Sequence, residues 1–168
     1  MKKLLALIIT LASILTLASC LGGEPTPPAG DPTGELFTYA ARENGSYAIS
    51  GLTDAGKTAK ELTIPLEHEG GKVTVIASGA FSGGVAEKVT ITADTNVKTI
   101  ENGAFSGASA LKELYILVQD AEAILPPADF SGTHRDFTIY VPEGSFYDTD
   151  YFWSQVPGIA DMLQFAGE

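Results

Sequence analysis

Ile76-Ala77-Ser78-Gly79-Ala80-Phe81-Ser82-Gly83 returns as Ile100-Glu101-Asn102-Gly103-Ala104-Phe105-Ser106-Gly107, an offset of 24 residues. A worn third copy, Ile124 and then Asp129-Phe130-Ser131-Gly132, follows at offsets of 24 and 25. Between the copies runs a second element: Leu62-Thr63-Ile64, Val89-Thr90-Ile91, Leu114-Tyr115-Ile116 and Ile139-Tyr140-Val141, with last residues spaced 27, 25 and 25. Two interleaved elements with one period define a repeat architecture. A unit this short cannot bury its own apolar side, so units stack and equivalent positions align in columns. Ile76, Ile100 and Ile124 are expected in one inward column, and Phe81, Phe105 and Phe130 in another. The Gly-Ala step before Phe suits a tight bend. Asp129 replaces the Ala in the last copy, where a terminal unit is expected to be irregular.

The triplets alternate with period two, so their first and last residues point inward and the middle residue outward. One outward column is therefore Thr63, Thr90, Tyr115 and Tyr140, and the next is Glu61, Lys88, Glu113 and Thr138. Opposite charges at neighbouring strand positions make a structural ladder. Side-by-side tyrosines combine apolar area with a hydroxyl and are enriched in binding surfaces. Thr63, Thr90, Tyr115 and Tyr140 are thus the candidate binding face, unless a loop or the C-terminal residues cover them.

An open stack exposes core and strand edges, so both ends need covering. At the front, Phe37 to Ala41 and Tyr47 to Ile49 flank Asn44-Gly45, a strong hairpin signal. At the back, Phe146, Tyr147, Tyr151, Phe152, Trp153, Ile159, Met162, Leu163 and Phe165 supply apolar density. A short helix near 159–165 is expected there, with Pro157 near its start; Trp153 is read as packing in this C-terminal cap, with a ligand platform as the alternative.

The whole pattern resembles the BspA-type leucine-rich repeats of bacterial surface proteins. The carriers are Gly79-Ala80-Phe81, Gly103-Ala104-Phe105, Leu111, Ile64-Pro65, Val141-Pro142 and the closing stretch from Ile139 to Ser145 with Tyr151 and Trp153. The resemblance spans Phe37 to Trp153. It implies a mainly β fold: a short solenoid over 61–142, an N-terminal capping hairpin over 35–60 and an aromatic C-terminal cap over 143–168. It says less about function, because the family includes adhesins, binders of host proteins and proteins of unknown role.

The first residues place the chain. Met1-Lys2-Lys3 is basic, and Leu4 to Leu17 is apolar apart from Thr10, Ser13 and Thr16. A membrane-spanning helix needs about 20 apolar residues, and Gly22, Gly23, Pro25, Pro27 and Pro28 stop this run short. The pattern is that of a secretory signal over 1–19. It resembles a bacterial lipoprotein signal, with Leu17-Ala18-Ser19-Cys20 matching the lipobox. That resemblance implies cleavage before Cys20, a diacylated thiol and an acylated amine, enough chains for stable anchoring. Residues 20–34 carry Gly, Pro and Thr without apolar periodicity and read as a tether. Residue 21 is Leu, not the Asp of inner-membrane retention, which points to the outer membrane or cell surface.

Composition narrows function further. The 168 residues hold 10 Lys+Arg against 21 Asp+Glu, a net charge of -11. Phosphate neutralisation needs clustered cations, so no nucleic-acid partner is expected. A charged fraction of 18% with 45% apolar residues excludes a disordered acidic tail. One Cys and two His do not make a closed Cys/His zinc site, and no internal disulfide can form. His68 and His134 sit in turn-like stretches without a catalytic spacing. Asp148-Thr149-Asp150 lacks the Gly and distal Glu of a calcium loop, and Asn44-Gly45-Ser46 reads as a turn rather than a glycan acceptor. No enzyme, metal or cofactor is expected. The expectation is a monomeric, lipid-anchored binding or adhesion module for a host or bacterial surface protein or glycan. The alternatives are a structural or assembly accessory of the cell envelope and a carbohydrate-capture protein.

Overall fold

Leu62, Val89, Leu114 and Ile139 stand side by side across successive strands, each almost fully buried. They belong to the larger structure seen in a computed structural model of the chain, which describes residues 34–119, 124, 129–149 and 161–166. Residues 1–33, where the sequence leads one to expect a signal peptide, an acylated Cys20 and a tether, and Tyr151, Phe152, Trp153, Pro157 and Ile159 lie outside the described residues.

The fold is mainly β, a solenoid of roughly four turns. One wall is an all-parallel sheet of five strands: β3 (Glu61–Thr63), β6 (Lys88–Ile91), β8 (Glu113–Ile116), β9 (Thr138–Pro142) and β10 (Leu163–Ala166). We call it sheet B. The other wall, sheet A, is mixed: β1 (Phe37–Ala41) pairs antiparallel with β2 (Tyr47–Leu52), and β2 runs parallel to β5 (Gly71–Ile76). β5 pairs antiparallel with the short β4 (Glu67–His68) and parallel with β7 (Thr99–Ile100). A five-residue helix, α1 (Asp54–Thr58), leads into β3, with the Thr53 hydroxyl accepting the Gly56 N–H at 3.1 Å.

The coils that begin at β3 and β6 each run down a strand of sheet B, cross to sheet A at β5 or β7 and turn back through the Gly-Ala-Phe step. That step is a backbone contact between turns: the Gly79 N–H donates to Gly103 O at 2.8 Å and the Phe81 N–H to Ala104 O at 3.2 Å. The glycines closing successive turns, Gly83, Gly107 and Gly132, all have positive φ, between 73° and 88°. A Cβ on Gly132 would lie 2.9 Å from Gly107 N. Here glycine serves close approach as well as backbone handedness.

Inside, Ile76, Ile100 and Ile124 are buried, as are Phe81, Phe105 and Phe130. The Phe81 and Phe105 rings stack at 4.8 Å and 11°, and Phe105 and Phe130 at 5.6 Å and 21°. Phe37 of β1 meets Phe81 edge-on at 6.3 Å and ends the column on that side, while Phe137 tilts against Phe130 at 4.9 Å. Tyr147 is fully buried and its hydroxyl donates to Ile124 O at 3.1 Å.

At the two ends of the chain one reading of the sequence is met and one is overturned. Asn44-Gly45 does reverse the chain, through a three-residue loop: the Gly45 N–H donates to Arg42 O, the Arg42 N–H to Ser46 O, and Gly45 takes φ of 74°. A turn followed by a left-handed glycine is a common hairpin closure. At the other end, the helix expected near 159–165 is replaced over Leu163–Ala166 by strand β10. The physical reason is register: pairing with β9 sets Leu163 beside the buried Ile139 and satisfies the backbone groups of an otherwise bare strand edge. A helix would have left that edge open.

Candidate functional site

The outer face of sheet B is built from the middle residues of the repeated triplets. Register fixes its columns: Glu61, Lys88, Glu113 and Thr138 form one, and Thr63, Thr90, Tyr115 and Tyr140 form the other. β10 extends the second column with Gln164. All four residues of the Thr/Tyr column are half-buried, which is ordinary for side chains packed against lateral neighbours on a sheet.

Tyr115 and Tyr140 stack, ring centroids 4.6 Å apart and 14° from parallel. That spacing is close to the separation of adjacent strands, about 4.8 Å. The rings therefore stand on edge, their faces turned along the stack and their edges outward. The Lys88 ammonium sits 4.6 Å from the Tyr115 centroid, so Tyr115 is held between a cation and a second ring. Burial, with Glu113 and Tyr140 nearby, pushes the Tyr115 hydroxyl above its ordinary pKa, and it stays protonated at neutral pH. The face presents tyrosine edges and a lysine held by π contact.

The tight ion pairs fall one residue before the strands. Lys60 and Lys112 each place Nζ 2.9 Å from one oxygen of Glu87, and a hollow of about 340 Å³ is lined by Lys60, Glu61, Glu87, Lys88, Lys112 and Glu113. Hydrogen bonds from Lys60, then from Lys112, hold the Glu87 carboxyl down at about 2. Sequence reasoning read the ladder at Glu61-Lys88-Glu113 and missed this triad. The signal existed: Lys60, Glu87 and Lys112 share the offsets of 27 and 25 that relate Ile64, Ile91 and Ile116.

The remaining candidates are dispersed. His68 stacks on Tyr39 at 3.7 Å and meets Tyr47 edge-on at 4.9 Å, while the Tyr47 hydroxyl donates to Glu69 at 3.3 Å. This cluster fastens the β4–β5 turn to the N-terminal hairpin. His134 lies in the turn between Phe130 and Phe137, its Nδ1 accepting the Asp136 N–H at 3.1 Å. Asn44 Oδ1 accepts both the backbone N–H and the hydroxyl of Ser46, an Asx turn. Among the described residues no three His, Cys, Asp or Glu side chains are grouped to hold a metal ion. Comparison with protein-family models, curated proteins and solved structures finds no match for this chain.

Proposed function

We propose that the chain is a lipid-anchored bacterial surface protein with BspA-type leucine-rich repeats, acylated at Cys20 and displayed at the outer membrane or cell surface. It binds without catalysis, through the outer face of sheet B, a protein on a host or bacterial surface. Residues 35–60 and 143–168 cap the solenoid in this reading. The observation that carries it is the Tyr115–Tyr140 pair, two aromatic side chains held edge-outward on a rigid sheet where earlier units carry Thr. Rigid aromatic anchors commonly dominate binding energy. Both ring faces of Tyr115 are occupied, by Lys88 and Tyr140, which favours a protein over a sugar at this ring, because a sugar ring stacks on an open aromatic face.

The self-satisfied contacts of this surface, Lys88 on Tyr115 and Glu87 between two lysines, favour a second reading, a structural or assembly accessory of the envelope. Replacing Tyr115 and Tyr140 together with Thr, the residue of the earlier units, separates the two. A binding role predicts lost attachment in pull-down from host extract or neighbouring cells, with stability lowered by no more than about 0.5–1.5 kcal/mol. A structural role predicts intact attachment and a larger fall in Tm. The anchor has its own test: Cys20→Ser should leave the protein in the aqueous phase of a detergent partition, or uncleaved. Full detergent partitioning of the cleaved variant would defeat the lipoprotein reading.

A further inference from the structure

The two outward columns of sheet B change along the stack in a way that makes the face complementary to itself. Charge runs Glu61, Lys88, Glu113 and neutral Thr138, while size runs Thr63 and Thr90, then Tyr115 and Tyr140. A two-fold axis parallel to the strands, midway between β6 and β8, exchanges β6 with β8 and β3 with β9. Lys88 of one copy then faces Glu113 of the other, and the same pair forms again with the roles reversed. Thr90 faces Tyr115, and Thr63 faces Tyr140, so each bulky ring meets a small side chain. At the rim Glu87 meets Lys112. An isologous contact requires this mutual matching of residues. The axis also leaves the strands of the two copies aligned, the usual arrangement of sheets packed face to face.

We propose that a second copy of this chain docks on the outer face of sheet B in a two-fold self-association. The inference rests on the reading of this face as a binding surface and names its occupant. The contact is weak. The four strands that the axis matches, about 4.8 Å apart and three to five residues long, make a patch roughly 20 Å wide and about 10–17 Å tall, well under the ~800 Å² per partner typical of stable complexes; β10 lies beyond it. A dilute chain is therefore a monomer, and pairing is effective where many copies share one membrane, as multivalency allows.

Charge reversal tests the axis. Lys88→Glu sets two glutamates against each other twice across the pair, and Glu113→Lys does the same with lysines. Each single variant should self-associate at least about tenfold more weakly than the parent in sedimentation of the processed chain across a concentration series. An equimolar mixture of the two should associate like the parent, because every crossed pair is again opposite in charge. The Lys88→Glu/Glu113→Lys double variant should do so alone. Mixing cannot repair a folding defect, so rescue in the mixture reports the contact itself. A parent that stays monomeric throughout, or a mixture no better than its components, overturns the inference. In either case the tyrosine double variant still decides the binding reading, because its pull-down reads other partners.

Discussion

Leu62, Val89, Leu114 and Ile139 are each one residue from Thr63, Thr90, Tyr115 and Tyr140, yet the two columns obey different rules. The inner column is aliphatic throughout and at most 1% exposed. The outer one passes from threonine to tyrosine without disturbing the pairing of a single strand. Inside, each side chain is shaped by the unit above and the unit below, so a misfit in one unit is felt by its neighbours. Outside, solvent tolerates what lateral neighbours can accommodate. A repeat thus separates the residues that make the stack from those free to acquire a task.

The sharpest way to break that division is at Phe105, stacked between two other rings and fully buried. Phe105→Ala should cost about 3–5 kcal/mol, a large share of a domain's stability, read as a deep fall in Tm. An unchanged melting curve would dissolve the inner column as an energetic unit. Next comes the turn, where inside meets outside. Gly107 has φ of 78° and a Cβ there would lie 3.1 Å from Ser82 Oγ. Gly107→Ala should cost about 1–2 kcal/mol for its left-handed backbone, measurable by urea denaturation. The smallest effect belongs to the outer triad. Glu87 is lowered from 4.5 to about 2, so its contribution is present above the unfolded value and is lost as pH falls toward the folded one. Glu87→Gln should therefore lower Tm slightly at pH 7, the pair being exposed to solvent, and flatten the decline between pH 4.5 and pH 2 by the same small amount, so that parent and variant converge in acid. A Tm loss at pH 7 as large as that of Phe105→Ala would erase the distinction between the faces.

How much of this could be read from the chain follows from the same division. Columns are a property of the period, so Ile76, Phe81, Ile100, Phe105, Ile124 and Phe130 were legible before any coordinates. So was the face of Thr63, Thr90, Tyr115 and Tyr140, because strand alternation is strict. The stacking of Tyr115 on Tyr140 needed only their adjacency, but the cation over Tyr115 competes with two flanking glutamates in its own column, and sequence alone does not rank them. The His68, Tyr39 and Tyr47 cluster joins the N-terminal hairpin, outside the repeat, to the β4–β5 turn of the first coil, and no period links those positions. β10 was misread because four residues, Leu163 to Ala166, fit a helical turn as well as a strand. The vacant edge of β9 decided between them.

The pairing of sheet B has a further consequence, for the order in which the chain assembles. Its partners lie 24 to 27 residues apart at every step, from Glu61 and Lys88 to Ile139 and Leu163. No step in that series has to close a long loop, so the entropic penalty is nearly the same for each coil. Assembly can then begin at whichever pair of coils is most stable and spread by adding one coil at a time. The Phe81–Phe105–Phe130 column makes the middle coils the natural starting point, and the ends the first to fray. A protein built this way can lose an outer coil to local opening and regain it while the centre stays folded.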